Sequence, residues 1–379
     1  MIKILFIHNK LVCGGAEQAL FDLVSLIDKK RFNVTILVQY DGGIWEEKFR
    51  NAGLRVVSIW DCQKKTQNPL IKLRNRNKRK RITESLKNDG AGLLDVCLNE
   101  HFDIIVAFNG STLQSMCFSG KAKTVKYIHG DMATNPEFCK NTMAILECIR
   151  KFDRIVCVSK ASKRSFMELT GITDNVVLHY NPLNTETVRS LSEHIVSIPK
   201  DVPYICAVGR LAPEKGYDRL IRIHKKLVDE GFLHKLILVG DGEEISKLHQ
   251  LVADCHAEET VVFAGYQSNP YPYMKNSQFL VCSSYTEGLP VVAMEALSLG
   301  IPIVSSAPSV QEAFGDEMCG LITGNDDMSL ESGIRRMFED RVFYQHAKEG
   351  AERRSEFFVG KRMVKEVEET FISLLNEGK

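Results

Sequence analysis

No apolar run in this sequence approaches the eighteen or so residues that span a bilayer, which argues against a transmembrane helix. Charge of one sign is also missing. Across 379 residues the formal net charge is +1, which excludes a globally basic nucleic-acid binder but leaves room for a local patch. The 11 cysteines include no C-x-x-C pair, and Cys157, Cys206 and Cys282 fall inside apolar, strand-like runs. Buried thiols in a reducing cytosol are therefore expected, not a disulfide framework. The 10 histidines are scattered without metal-ligand spacing, and no metal site is expected. The opening residues Met1–His8 enter a strand pattern directly, so a signal peptide is not expected. What remains is 44% hydrophobic and 26% charged, the balance of a soluble globular protein long enough for two domains.

Short apolar runs alternate with amphipathic ones. Strands are expected at Ile2–His8, Asn33–Gln39, Gly53–Ile59, Asp103–Phe108, Thr124–His129, Arg154–Ser159 and Val176–Leu178, with a helix at Ala16–Asp28. This is the pattern of a doubly wound α/β domain. Tyr180-Asn-Pro-Leu-Asn184 interrupts it, and a polar stretch to Asp201 follows, so the interdomain linker is expected there. A second α/β series runs through Tyr204–Val208, Lys235–Val239, Thr260–Phe263, Phe279–Cys282, Ile303–Ser305 and Gly320–Ile322. Beyond Ser329 the chain reads as helical.

The stretch Ser283–Pro302 organises the second half. It follows an apolar run and reads strand, tight loop, helix, with Pro290 expected in the helix's first turn and Gly300 and Pro302 ending it. Glu287 lies in the loop and Glu295 lies in the helix among Val, Ala, Met and Leu. A helix N-terminus beyond a strand end attracts anions, while two carboxylates so placed suit hydroxyl groups. By itself a glutamate pair at this spacing is usually a solvated helix face. The Glu-Gly-Leu-Pro turn and the Gly-Ile-Pro-Ile-Val exit single this one out. The stretch resembles the Glu-x7-Glu signature of retaining glycosyltransferases with the GT-B fold, most closely glycosyltransferase family 4.

Other loops are consistent with that resemblance. Gly209-Arg-Leu-Ala-Pro-Glu-Lys-Gly216 places Arg210 and Lys215 in one turn between glycines that let a ligand approach the backbone, a pattern suited to a diphosphate. Cys13-Gly-Gly-Ala-Glu17 follows the first strand. Its Gly14–Gly15 pair and Asp41 after the second strand could begin a dinucleotide site, but the G-x-G-x-x-G spacing is absent. His129-Gly-Asp131 puts an imidazole at a strand's carboxyl end. Val239-Gly-Asp-Gly242 and Phe263-Ala-Gly-Tyr266 form two further strand-end turns. Each of these also has an ordinary structural reading, as a glycine turn, a core histidine or a solvated base.

The resemblance implies two Rossmann-like domains facing across a cleft: 1–183 on the acceptor side, with 361–379 packing back onto it, and 184–360 holding the nucleotide sugar. It implies Glu295 on the ribose, and Arg210, Lys215 and the amides near Gly288, Leu289 and Pro290 on the diphosphate. Glu287 and His129 would contact the transferred sugar, Gly14 and Gly15 would line the site, and Tyr266 would stand near the base. A UDP-sugar is the expected donor, with retention of configuration and no metal or other cofactor.

Between the third strand and Asp103 stand Lys64 and Lys65, then Lys72, Arg74, Arg76, Lys78, Arg79, Lys80 and Arg81, with no acidic relief until Glu84. A solvated helix or a loop would account for them. So would a patch for an anionic membrane, which, with the family resemblance, leads to the expectation of a peripheral enzyme on the cytoplasmic face of the plasma membrane acting on a lipid-linked saccharide. A soluble acceptor, a dinucleotide-dependent oxidoreductase or epimerase, and a non-catalytic sugar-nucleotide binder remain the alternatives.

Overall fold

The structure, a computed structural model, describes every residue except 13, 60–67, 89–97, 99, 110, 119–120, 131, 133–141, 199–201 and 378–379. It divides into two compact units, Met1–Pro182 with Lys361–Lys379, and Leu183–Gly360.

The first unit is built on seven parallel strands: β1 (Ile2–His8), β2 (Phe32–Val38), β3 (Arg55–Ser58), β4 (Ile104–Ala107), β5 (Lys123–Ile128), β6 (Arg154–Cys157) and β7 (Val176–Leu178). Their order is β3-β2-β1-β4-β5-β6-β7. A parallel sheet covered on both faces needs strands apolar on both sides, and β4 is buried throughout. Alternation along β1 divides the core: Ile4 and Phe6 enter one cluster, Leu5 and Ile7 the other. The C-terminal helix (Gly360–Asn376) contributes Val364, Val367, Phe371 and Leu374 to the Phe6 cluster, and Phe371 packs edge-on against Phe6. Glu368 on that helix accepts from the Asp28 amide at 2.7 Å.

The second unit has six parallel strands: β8 (Tyr204–Val208), β9 (Lys235–Val239), β10 (Val261–Gly265), β11 (Leu280–Cys282), β12 (Ile303–Ser305) and β13 (Gly320–Ile322), in the order β10-β9-β8-β11-β12-β13. In both sheets the chain winds outward on one side, then returns to the other side of its first strand. The reversals fall between β1 and β4 and between β8 and β11. Such switch points open crevices at the strands' carboxyl ends.

Two local expectations differ from the structure. The polar stretch expected as linker contains a helix, Thr185–Ser192, which belongs to the second unit. Asn184 caps it by accepting from the Thr187 amide at 3.1 Å, and Val188 is buried, so a cap and one apolar anchor suffice despite the polar composition. Pro290 stands one residue before its helix (Val291–Ser298), as the N-cap with extended ψ of 125°, not inside the first turn.

The basic run lies on a helix, Pro69–Asn88. Lys72, Arg74, Arg76 and Lys80 are exposed. Lys64 and Lys65 lie outside the described residues, as do the side chains of Lys78, Arg79 and Arg81. Ile82 is buried in the Leu5 cluster, which anchors the helix to the first unit. Leu70, Ile71 and Leu73 are exposed at its start. No helix among the described residues is long and apolar enough to cross a membrane.

Candidate active site

In the second unit the loops after β8 and β11 flank the switch point. The loop after β8 ends at Gly216, whose φ is +61°. A Cβ there would lie 2.4 Å from the Ser283 carbonyl oxygen, so only glycine lets the two loops meet. Across that contact, Lys215 Nζ donates to Glu287 Oε1 at 2.5 Å. Serines tie both loops down: Ser283 Oγ donates to the Lys215 carbonyl at 2.8 Å, and Ser284 Oγ to Glu287 Oε1 at 2.7 Å. Arg210 takes a different partner. Its guanidinium donates to Glu214 at 2.5 Å and lies 4.0 Å from Glu243, and its side chain is 56% exposed. The two cations expected to act on one diphosphate thus share a loop, but each is neutralised by its own carboxylate.

Glu295 is 8% exposed and accepts from the Tyr271 hydroxyl at 3.0 Å. Tyr271 begins a short helix, Tyr271–Lys275, after β10. Leu289 and Pro290 are buried, and Gly288 is half-buried. Tyr266 follows Gly265 at the end of β10, the edge strand, and is 40% exposed. Two strands, β9 and β8, separate it from β11 and the Glu287 loop.

In the first unit, Gly14 caps the helix Gly15–Leu26 in extended conformation. A Cβ on Gly14 would come within 2.6 Å of Glu17 Oε2, which folds back over the helix start. Glu17 is buried, with Oε1 3.6 Å from His8 Nε2. Burial acts on both partners against charge, raising the Glu17 carboxyl to about 7 and lowering the His8 imidazole to about 4. His129 Nε2 lies 2.9 Å from the Phe108 carbonyl oxygen. A carbonyl only accepts, so Nε2 carries the proton and Nδ1 a lone pair. Among the described residues Nδ1 is buried without a hydrogen-bond partner. Burial, then Lys126 and His8, lowers this histidine to about 3, so it is a neutral acceptor suited to a hydroxyl group.

The structure therefore joins Lys215 with Glu287, and Glu295 with Tyr271. It leaves Tyr266 at the sheet edge, and Asp131 lies outside the described residues. Asp41 follows β2, and its Oδ1 is buried with no hydrogen-bond partner among the described residues. Among the described residues, no three His, Cys, Asp or Glu side chains gather to hold a metal ion. Sequence reasoning missed Tyr271, Glu214, Glu17 and the buried Arg219. Only Arg219 left a usable signal: a cation on the helix Tyr217–Asp229 between the buried Tyr217 and Leu220.

The profile of glycosyltransferase family 4 matches residues 13–187, and that of glycosyl transferases group 1 matches residues 189–354. The chain is 25% identical to the N-acetylgalactosamine-N,N'-diacetylbacillosaminyl-diphospho-undecaprenol 4-alpha-N-acetylgalactosaminyltransferase of Campylobacter jejuni, over 93% of this chain and 94% of that one. It is 28% identical to the lipopolysaccharide 1,6-galactosyltransferase of Salmonella typhimurium, over 54% of this chain and 56% of that protein. Anabaena HepE, solved with UDP-glucose, superposes with a TM-score of 0.75 at 20% identity, covering 98% of this chain and 100% of that one. The two Rossmann-like domains are those of the GT-B architecture. The chain belongs to glycosyltransferase family 4, and is a glycosyltransferase.

Proposed function

We propose that the chain transfers a sugar from a UDP-sugar to a hydroxyl of a lipid-linked saccharide, with retention of configuration and without a metal ion. The observation that carries this reading is the Lys215–Glu287 contact at the second unit's switch point, where a cation and a carboxylate meet on adjacent strand-end loops. A diphosphate entering there exchanges carboxylate partners for phosphate oxygens on Lys215 and Arg210. Glu287, released from Lys215, turns to the hydroxyls of the donor sugar. Glu295, oriented by Tyr271, accepts from the ribose hydroxyls.

The chief chemical task is to stabilise charge as the glycosidic bond breaks and its electrons move to the β-phosphate oxygen. The acceptor oxygen forms the new bond on the same face, and its proton passes to the leaving phosphate. Arg210 and Lys215 supply the neutralising charge. The choice of donor and acceptor is supported by two relatives, HepE crystallised with UDP-glucose and the Campylobacter enzyme named for a diphospho-undecaprenol acceptor. The basic helix Pro69–Asn88 supports an acceptor held at a membrane: its exposed cations suit anionic headgroups on the cytoplasmic leaflet, and Leu70, Ile71 and Leu73 would add apolar contact.

The test is nucleotide release from a panel of UDP-, GDP- and ADP-sugars, offered a polyprenyl-diphosphate saccharide, a soluble saccharide or none. Release from a UDP-sugar that depends on the lipid-linked acceptor is expected. Equal release with the soluble saccharide moves the acceptor to solution, and no turnover of any donor rejects the reading.

A further inference from the structure

Arg219 is the largest of the fully buried side chains among the described residues, 1% exposed. It stands in the first turn of the helix Tyr217–Asp229 that follows β8. Its Nε and Nη2 both donate to the Ser283 carbonyl, at 2.9 and 2.5 Å. Nη2 also reaches Ser306 Oγ at 2.7 Å and Asn325 Oδ1 at 3.0 Å, and Nη1 donates to the Asn325 carbonyl at 3.1 Å. Its ion pair is with Asp327, at 3.9 Å and with a side chain 64% exposed. Tyr285 stacks on it, 4.0 Å from ring centroid to Cζ.

A buried cation without a close carboxylate is costly, and this one is compensated almost wholly by loop oxygens. Those loops follow β11, β12 and β13, while Arg219 itself belongs to the segment after β8. Ser283 then reaches the Lys215 carbonyl through its hydroxyl, Ser284 reaches Glu287, and Asn325 Nδ2 donates to the Tyr285 carbonyl at 2.7 Å. One residue, Ser283, thus separates the guanidinium from Lys215, and two, Ser306 and Ser284, separate it from Glu287.

We propose that Arg219 is a positioning residue for sugar transfer, its fork of donors holding Ser283 and Asn325 so that Lys215 and Glu287 keep the geometry the diphosphate requires. This rests on the reading in the preceding section. A planar guanidinium can serve four acceptors at once, and a lysine cannot reproduce that fork.

The experiment measures kcat and KM for the donor, together with the thermal midpoint, in wild type, Arg219→Ala, Arg219→Lys and Asn325→Ala. Loss of a charged hydrogen-bonding group predicts that Arg219→Ala lowers kcat/KM roughly tenfold to a hundredfold per folded molecule. Most of the loss should fall on kcat. Millimolar methylguanidinium, filling the vacated space, should restore part of it, and Arg219→Lys should remain impaired. Asn325 is exposed, so Asn325→Ala should keep its midpoint and still lose roughly threefold to tenfold in kcat. It decides the matter if Arg219→Ala does not fold. Lowered midpoints with unchanged kcat in folded protein would overturn the proposal and leave Arg219 a packing residue. Wild-type protein inactive towards every donor would instead fail the transfer reading, and the positioning role with it, so the two failures are told apart by the wild type alone.

Discussion

Lys215 Nζ and Glu287 Oε1 stand 2.5 Å apart although 72 positions separate them in the chain. Neither is a free surface charge: their side chains are 24% and 15% exposed, and Ser284 donates to the same carboxylate oxygen. The cation is held in place by the carboxylate that flanks it. The diphosphate proposed for this site would compete with that carboxylate, so the contact would orient Lys215 but weaken its grip on anions.

Removing Lys215 should therefore cost more than removing its partner. Lys215→Ala and Arg210→Ala each lose a charged contact worth roughly 1.5–3 kcal/mol, a fall in kcat/KM of about ten to a few hundredfold. Glu287→Gln should depress kcat while leaving UDP affinity equal or tighter, because Lys215 loses its competitor. Steady-state kinetics with calorimetric UDP titration checks all three. Wild-type kinetics in both cation variants would remove these residues from the site.

At Glu295 the effect should fall on nucleotide binding. Glu295→Gln keeps shape but loses the charged acceptor, so UDP affinity should drop roughly tenfold or more. Tyr271→Phe removes the hydroxyl that donates to Glu295 at 3.0 Å, and should weaken UDP binding by a smaller factor. Titration of UDP against uridine would locate the loss on the ribose if both ligands weaken alike. An unchanged affinity in Glu295→Gln would argue against the ribose contact.

Acid should weaken the second unit through His224 and His234. Their rings meet at 2.9 Å, and His234 Nδ1 lies 2.8 Å from the Phe232 carbonyl, so His234 is protonated there and accepts from His224 Nδ1. Burial lowers both below 6.5, and the folded state holds them neutral. Their stabilising contribution is complete above pH 6.5 and is lost as pH falls below it, by up to about 1.4 kcal/mol per pH unit for each titrating histidine. His224→Gln retains a donor but cannot titrate, so urea midpoints measured from pH 7 to 4.5 should fall less steeply in the variant. Buried His8, His129 and His179 drive the first unit in the same direction. Parallel slopes in wild type and variant would show that the pair does not titrate in this range.

For the helix Pro69–Asn88, flotation with liposomes reads the membrane proposal directly. About 1 kcal/mol per basic residue near an anionic surface predicts binding to phosphatidylglycerol vesicles at low salt, lost at high salt and absent on neutral vesicles. Replacing Lys72, Arg74, Arg76 and Lys80 by Ser should abolish flotation without affecting UDP binding. Leu70→Ser with Leu73→Ser should weaken it less. Equal flotation on neutral vesicles would assign the attachment to apolar contact in place of charge.

By itself the sequence determined the repeated strand–helix alternation and most strand positions, because a buried parallel strand must be a short apolar run whatever surrounds it. It also singled out the Gly-Arg-x4-Lys-Gly and Glu-x7-Glu loops, whose glycines and prolines act locally. A cap and a single buried valine made a helix of 185–192, where polar composition suggested linker. Contacts formed across the sheet belong to the tertiary structure alone. Strand order brought the loop after β8 beside the loop after β11, and so joined Lys215 to Glu287. The same order buried Arg219 beneath four strand ends and set Tyr271 on Glu295. Such pairings depend on which strands become neighbours, and local periodicity carries no record of that. The charge states of His8, Glu17 and His129 were likewise decided only by folding, because burial, not residue type, sets whether an imidazole or a carboxyl can hold its charge.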